Sequence, residues 1–417
     1  MIYKSPIKIN SVEQSLDKNI PVILVGFKIE GLLAFHWLKE HGYRILAIVS
    51  KENAGARYFD IPIISETDLP GFCQNFVQIL IAVKFQEAFC TRVQKMGLKN
   101  IRLISALKIF GEMSVDISDI PQAGWILAGT KRQSEKSVRY ALDVFVYECL
   151  KNSDGRLIIP TIDIVVTEKC SLRCRDCSNL MQYYTTTQIY DAEHLAMQFD
   201  IIARLADNIG DVHILGGEPF VYDHLHELLL RLSRNKGQYG RLKLFTNGTI
   251  VPADSLLEVF VETDSFISIS DYGKHSPKIP SLIAKMSMYG IDFEIKTINS
   301  WQRCGYFVTR TDSPENLKNK FDGCCAKDLL TIQDGSLFLC PFISNAVRLG
   351  AVKNIPGYGI VIDHSLSKQA LYDFIATPGW KSGICRYCPG RGFNAETVEP
   401  AIQTASPLHL EIKDEKI

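Results

Sequence analysis

The chain has 417 residues, 46% of them hydrophobic and 22% charged, the balance of a globular protein with two or three domains. Lys+Arg and Asp+Glu are equal at 46 each, which argues against a chain-wide affinity for nucleic acid or anionic lipid. The longest apolar runs are strand-length and the first ten residues lack the apolar core of a secretory signal, so a cytoplasmic chain without a membrane span is expected.

Residues 22–105 alternate strand and helix patterns. Strands are predicted at 22–27, 45–50, 61–65, 79–83 and 101–105, and helices at 30–41 and 85–96. Such interleaving implies a parallel sheet covered on both faces. The first strand runs into Gly26, Lys28 and Gly31, a degenerate dinucleotide fingerprint. Lys28 occupies the position of the middle glycine, which normally lets a pyrophosphate approach the backbone, so a classical NAD site is not expected. The lysine either contacts a phosphate or is solvated. With Ala47–Ser50 and Asp60–Ile64 downstream, the segment resembles the small Rossmann-like domains that precede sugar O- and N-acyltransferases. That resemblance implies a nucleotide-sugar ligand; the other reading is a structural domain that kept the fold and lost the ligand.

Residues 131–152 read as a charged connecting helix. A second β/α series follows, with strands at 157–167, 211–217, 241–248, 266–272 and 292–297 and helices at 190–207, 222–234, 253–260 and 279–289. After residue 300 the regularity fades, and the tail from 394 lacks periodicity and is expected to be loose. The divisions expected are 1–125, 126–155, 156–305 and 306–417.

Of twelve cysteines, Cys73, Cys90 and Cys149 lie in apolar patterns and read as core, and the other nine follow position 169. In the expected compartment, thiols serve metals or catalysis more than disulfides. Cys170, Cys174 and Cys177 form Cys-x3-Cys-x2-Cys in the loop after a strand. Closed structural zinc needs four ligands, and no fourth lies nearby in sequence. Three cysteines on a four-iron cluster leave one iron open for a small molecule. Gly216-Gly217-Glu218-Pro219 ends the next strand; its glycines clear the backbone for a ligand and its glutamate is an acceptor for an ammonium group. Thr246, Asn247 and Gly248 end the third strand, and Ser268, Ser270 and Asp271 the fourth, on the side where parallel barrels build their sites.

The triplet and the downstream motifs resemble the radical S-adenosylmethionine (SAM) superfamily over roughly 157–300. The resemblance implies a partial (β/α)6 barrel of TIM type. It implies that Cys170, Cys174 and Cys177 hold a [4Fe–4S] cluster whose open iron chelates SAM. Gly216, Gly217, Glu218 and Pro219 then contact SAM's methionine amino group, with Thr246, Asn247, Ser268, Ser270 and Asp271 as further SAM-binding positions. Reductive cleavage of SAM, driven by a donor such as flavodoxin or ferredoxin, gives a 5′-deoxyadenosyl radical that abstracts hydrogen from a small-molecule substrate. Many members carry an aromatic residue just before the third cysteine; here it is Asp176, and no adenine contact is assigned.

Cys304, Cys324, Cys325, Cys340, Cys385 and Cys388 remain. A hairpin pattern around Asp334-Gly335 returns Cys340 toward Cys325, and Cys385-x2-Cys388 adds a pair. Four thiolates close a site for zinc or for a second [4Fe–4S] cluster. The arrangement resembles the twitch auxiliary-cluster subdomain, a shortened SPASM domain, in a layout like that of 2-deoxy-scyllo-inosamine dehydrogenases. Cys325, Cys340, Cys385 and Cys388 are the expected ligands. Cys324 and Cys304 are then spare thiols, either hydrogen-atom donors of the kind an epimerase needs or small buried side chains.

Together these features lead to an α/β radical SAM enzyme acting on a sugar, cyclitol or nucleotide-sugar, with oxidation of an alcohol or amine carbon as the expected outcome. Epimerisation and modification of a peptide are the alternatives within the class. A non-catalytic iron–sulfur or zinc regulator is disfavoured by Gly216–Pro219, since a bare metal scaffold needs no amino-acid site beside it.

Overall fold

Short β-branched runs separated by amphipathic stretches give each half of the chain its own parallel sheet. The computed structural model describes residues 2–4, 16–73, 76–83, 86–107, 114–116, 142–149, 155–327, 329–353, 356–392 and 395–414. They divide into two units, Met1–Trp125 with Glu135–Leu150, and Ile126–Ser134 with Lys151–Ile417.

In the first unit the elements are β1 (Val22–Val25), α1 (Ile29–Glu40), β2 (Ile45–Val49), β3 (Ile61–Ile64), β4 (Gln78–Ile81), α2 (Gln86–Lys95) and β5 (Ile101–Leu103). They pair in the order β3-β2-β1-β4-β5, all parallel, with Arg57–Tyr58 antiparallel on the β3 edge. Strand order reverses beside β1, so the 26–31 loop leaves the sheet at its switch point. The final predicted strand ends early, because Ile104–Leu107 is helical. Of the predicted connecting helix, 142–149 is helical and the rest lies outside the described residues. Cys73, Cys90 and Cys149 are partly buried rather than full core residues.

The second unit begins β6 (Ile158–Val165), α3 (Ala192–Leu205), β7 (Asn208–Leu215), α4 (Leu225–Ser233), β8 (Tyr239–Thr246), α5 (Asp254–Glu262), β9 (Phe266–Asp271), α6 (Ile279–Tyr289) and β10 (Phe293–Thr297). Local chemistry sets the ends: the Asp191 carboxylate caps α3 by accepting from the His194 amide, and Gly290 takes the left-handed turn that stops α6. Then follow α7 (Pro314–Asp322), β11 (Leu329–Gln333), β12 (Ser336–Phe338), α8 (Pro341–Arg348) and β13 (Gly359–Val361). The eight strands form one sheet, β10-β9-β8-β7-β6-β11-β12-β13. Five parallel strands wind consecutively, and the sixth, β11, lies on the far side of β6. The sheet therefore runs across the 305/306 boundary drawn on the sequence. The β11–β12 hairpin turns at Asp334 (φ 49°) and Gly335 (φ 80°), the two left-handed positions of a tight hairpin.

The two faces of this sheet differ. Ile162, Ile164, Val212, Ile214, Leu242, Leu244, Ile267 and Ile269 point one way and pack against the helices in one continuous core. The alternate positions, Asp163, Asp211, His213, Arg241, Lys243, Ser268 and Glu294, point the other way and are polar.

The tail is tied down rather than loose. Thr397–Val398 pairs with Trp301–Gln302, Gln403 bridges to Cys174, and Ile412–Asp414 runs parallel to Phe307–Thr309. Among the described residues no helix is long and apolar enough to cross a membrane.

Candidate functional site

The site grows from two backbones that lie almost in contact at the C-terminal ends of β6 and β7. The Gly217 and Glu218 amides donate to the carbonyls of Thr167 and Lys169, both at 2.8 Å. A Cβ on Gly216 would lie 2.2 Å from the Thr167 oxygen, and one on Gly217 2.1 Å from the Lys169 oxygen. The two glycines thus admit the close approach of the cysteine loop, a packing role beyond the one read from the sequence. Glu218 behind them is 1% exposed. One of its oxygens accepts from the Phe220 amide at 3.2 Å and the other from the Asn247 amide at 2.8 Å. Burial pushes its carboxyl up to about 7 despite those amides and Thr246, so its charge depends on what lies next to it. Glu218 therefore fixes the β8 loop as well as facing the site.

Cys170, Cys174 and Cys177 converge on a cavity of about 370 Å³ above the strand ends, shared with Gly216, Gly217 and Glu218. Burial pushes the Cys170 thiol up to about 12 and the Cys174 thiol up to about 11. Thiols raised this far are inert on their own at neutral pH; a bound metal centre reverses that, because coordination deprotonates them. Asn247 Nδ2 reaches the Cys170 sulfur at 3.7 Å and Gln403 Nε2 the Cys174 sulfur at 3.2 Å. Gln403 lies more than two hundred residues from the loop it serves, and nothing local in the sequence announces it.

Of the other predicted SAM positions, Thr246, Asn247 and Ser270 line the cavity. Pro219, Ser268 and Asp271 do not: Pro219 is buried at the start of a 3-10 turn, Ser268 donates to Glu294 at 2.8 Å, and Asp271 accepts from the Gly273 amide at 2.8 Å. Tyr272 and Trp301, edge to face with centroids 5.4 Å apart, give the cavity aromatic surface. Tyr272 sits just beyond the end of β9 and Trp301 in a two-residue strand, both too short of neighbours for periodicity to carry a signal.

The polar face of the sheet supplies the floor. Asp163 and His213 line the cavity, with His213 Nδ1 2.9 Å from Asp163 Oδ1. His213 Nε2 lies 3.5 Å from Asp211, which also takes two bonds from Arg241. Burial alone would raise the Asp211 carboxyl; Arg241 and His213 outweigh it and hold the group well below the usual range. Beyond them Lys243 pairs with Glu294 at 2.7 Å. These residues were missed on the sequence, although charged residues at every second position of apolar strands are the signal for a polar interior.

The second group of cysteines gathers around Cys385 and Cys388. Burial, then neighbouring Cys340, Cys388 and Cys324, push the Cys385 thiol up. Burial, then neighbouring Cys388 and Cys325, push the Cys324 thiol up as well, so Cys324 lies near Cys385 and Cys388. Cys325 is exposed and points to Gln302 Oε1 at 3.8 Å. Consecutive side chains diverge, and the turn after α7 sends Cys324 inward. Lys320 Nζ fastens the 385–388 loop by donating to the carbonyls of Cys385 (2.9 Å) and Cys388 (2.8 Å). Cys304 is 4% exposed and sits near both groups; burial raises it to about 11, with Arg391 opposing and Cys388, Cys325 and Cys177 adding. Neither Cys304 nor Cys324 lines the cavity.

Among the described residues no three His, Cys, Asp or Glu side chains converge tightly enough for a single metal ion.

Buried cysteines at the mouth of a parallel sheet, with a buried glutamate beside them, define an iron–sulfur type of site. Residues 164–270 match the sequence model of the Radical SAM superfamily. That stretch is a radical SAM domain and takes a [4Fe–4S] cluster and SAM. No curated protein matches the chain. Among solved structures, BtrN in complex with AdoMet and 2-DOIA is similar at 13% identity and a TM-score of 0.38, over 61% of this chain and 98% of that one. His-tagged anSMEcpe with bound AdoMet is similar at 12% identity and a TM-score of 0.36, over 54% and 82%. Streptococcus suis SuiB is similar at 14% identity and a TM-score of 0.29, over 60% and 50%.

Proposed function

We propose that the chain is a radical SAM oxidoreductase that removes hydrogen from an alcohol or amine carbon of a carbohydrate-like substrate. The observation that carries this reading is one cavity that joins Cys170, Cys174 and Cys177 at its rim to the Asp163–His213 pair at its floor. In it the second unit's sheet is a partial barrel, and Cys170, Cys174 and Cys177 hold the SAM-binding cluster.

Oxidising a secondary alcohol takes a hydrogen atom from carbon, a proton from oxygen and one electron. When bound, the cluster and SAM supply the radical that takes the hydrogen atom. The chain's residues do the rest. Tyr272 and Trp301 hold the substrate's carbon face, as aromatic surfaces do. The Asp163 carboxylate, oriented by His213 Nδ1, accepts the hydroxyl proton. Cys324, Cys340, Cys385 and Cys388 hold a second iron–sulfur centre, fully ligated and so suited to receiving the electron. Epimerisation would need a thiol facing the substrate, and the thiols left spare on this reading, Cys304 and Cys325, lie off the cavity. For the first unit, the reading is a Rossmann-like domain that presents a nucleotide-sugar at 26–31.

The test is to supply the anaerobically reconstituted chain with SAM, a reductant and panels of cyclitols, sugars and nucleotide-sugars in D2O, then weigh the products. A new carbonyl and a loss of two mass units support the reading. A gain of one unit sinks it in favour of epimerisation, and modification of peptides alone sinks the substrate class. With a substrate in hand, Asp163→Asn is expected to slow product formation by roughly 100-fold or more.

A further inference from the structure

Arg391 is the least explained charge in the second unit. It is 6% exposed, yet among the described residues no carboxylate pairs with it, and its Nε has no partner. Four of the cysteine segments lie close to it. It follows Cys388 by three residues. Its carbonyl accepts from the Cys325 amide at 3.3 Å. Its guanidinium lies 5.9 Å from the ring of Phe342, two residues after Cys340, and donates to the carbonyl of Ser178, next to Cys177. It also lines the cavity that Cys170, Cys174 and Cys177 share.

A buried guanidinium without an anion is strongly unfavourable. Neutral thiols do not compensate it. Thiolates on iron do, because each ligating cysteine gives up its proton and brings a negative charge. In the reverse direction, a fixed cation close to an iron–sulfur centre favours the more negative, reduced state. Metal-bound thiolates would thus supply the negative charge that the guanidinium lacks.

We propose that Arg391 is the shared counter-charge of the two cysteine sets, a positioning residue that favours the reduced state of the iron–sulfur centre each set holds. This rests on the two-centre reading above and adds to it a single residue through which both centres are tuned. Cys304, which lies near both sets, then Cys388, Cys324 and Cys340 on one side and Cys177 on the other all lie within its electrostatic reach.

The test uses the full chain, reconstituted anaerobically as wild type, Arg391→Met and Arg391→Lys. Iron is counted first, and a wild type with iron for one centre only overturns the two-centre reading and this proposal with it. With both centres loaded, Arg391→Met is expected to shift the reduction equilibrium of each about tenfold toward the oxidised state in an EPR-monitored titration, 59 mV for a one-electron couple. Arg391→Lys keeps the charge and is expected to recover most of that shift. Unchanged midpoints with weakened SAM binding overturn the proposal and leave Arg391 as the partner of SAM's carboxylate. A second measurement stands if the Met variant takes up no iron. In the iron-free chain the guanidinium is uncompensated, so Arg391→Met is expected to raise Tm relative to iron-free wild type; a lower Tm assigns Arg391 a purely structural bond to Ser178 and overturns the proposal.

Discussion

Two loops in this chain leave the first strand of a parallel sheet, and both depend on paired glycines. In the first unit, a Cβ on Gly26 would meet the Ala82 oxygen at 2.3 Å, and one on Gly31 would meet the Gly26 oxygen at 2.1 Å. In the second, Gly216 and Gly217 are squeezed against Thr167 and Lys169 by the same kind of approach. Close backbone packing accounts for the glycines in both. The difference lies in what surrounds them. Around 26–31 the charged residues are Lys28 and Glu30, and Lys28 faces solvent and pairs with Glu52 at 3.5 Å, with side chains 65% and 70% exposed. Around the cysteine loop lie a buried carboxylate, three buried or half-buried thiols and a buried guanidinium. A glycine pattern therefore reports packing, and buried polar groups that converge on one cavity report chemistry.

The sharpest way to break that contrast is to fill the glycines. Gly217→Ala and Gly26→Ala are each expected to cost at least about 3 kcal/mol, since the new methyl meets backbone that cannot swing away. Gly26→Ala carries added strain from a φ of 120°. Denaturant unfolding measures both, and iron uptake separates them: Gly217→Ala is expected to lose the first cluster, while Gly26→Ala is expected to keep it.

Next in size is the choice between adjacent cysteines. Cys324→Ala is expected to abolish the second centre, and Cys325→Ala to leave it loaded, by iron count and EPR. The opposite pattern would restore the assignment read from the sequence.

Glu218 gives a smaller, pH-dependent signature. Its carboxyl sits at about 7 in the fold against an ordinary 4.5. Between those values the unfolded chain releases this proton first, so stability falls as pH rises, by about 3 kcal/mol across the window. Glu218→Gln is expected to flatten that slope while giving up one of the two amide bonds, about 1 kcal/mol at low pH. An unchanged slope would place the titration elsewhere.

At the small end, Lys28→Ala is expected to change stability by less than about 0.5 kcal/mol, as an exposed ion pair does. Calorimetric titration of the full chain with nucleoside diphosphates and their sugars tests its loop. No binding at millimolar ligand would leave the first unit a structural one.

Much of the second unit was legible from local pattern. The period of β6 to β10 and of the helices between them, the Asp334-Gly335 turn and the Cys170–Cys177 spacing are short-range features. What escaped needs distance or direction. Gln403 reaches Cys174 only because the tail folds back, and whether Cys324 or Cys325 joins Cys385 and Cys388 depends on how the turn after α7 orients the two. Asp163, His213 and Lys243 were visible as charges in apolar strands, but their meaning depends on register, which aligns His213 with both Asp163 and Lys243.

The central claim is that two separate cysteine sets hold iron. Its most direct test is anaerobic reconstitution of wild type and of the triple variant Cys170→Ala, Cys174→Ala, Cys177→Ala, with iron and sulfide counted in each. The account predicts that the triple variant retains about half of the wild-type iron, with the EPR signal of a fully ligated cluster. A variant with almost no iron, and zinc in its place, would contradict it.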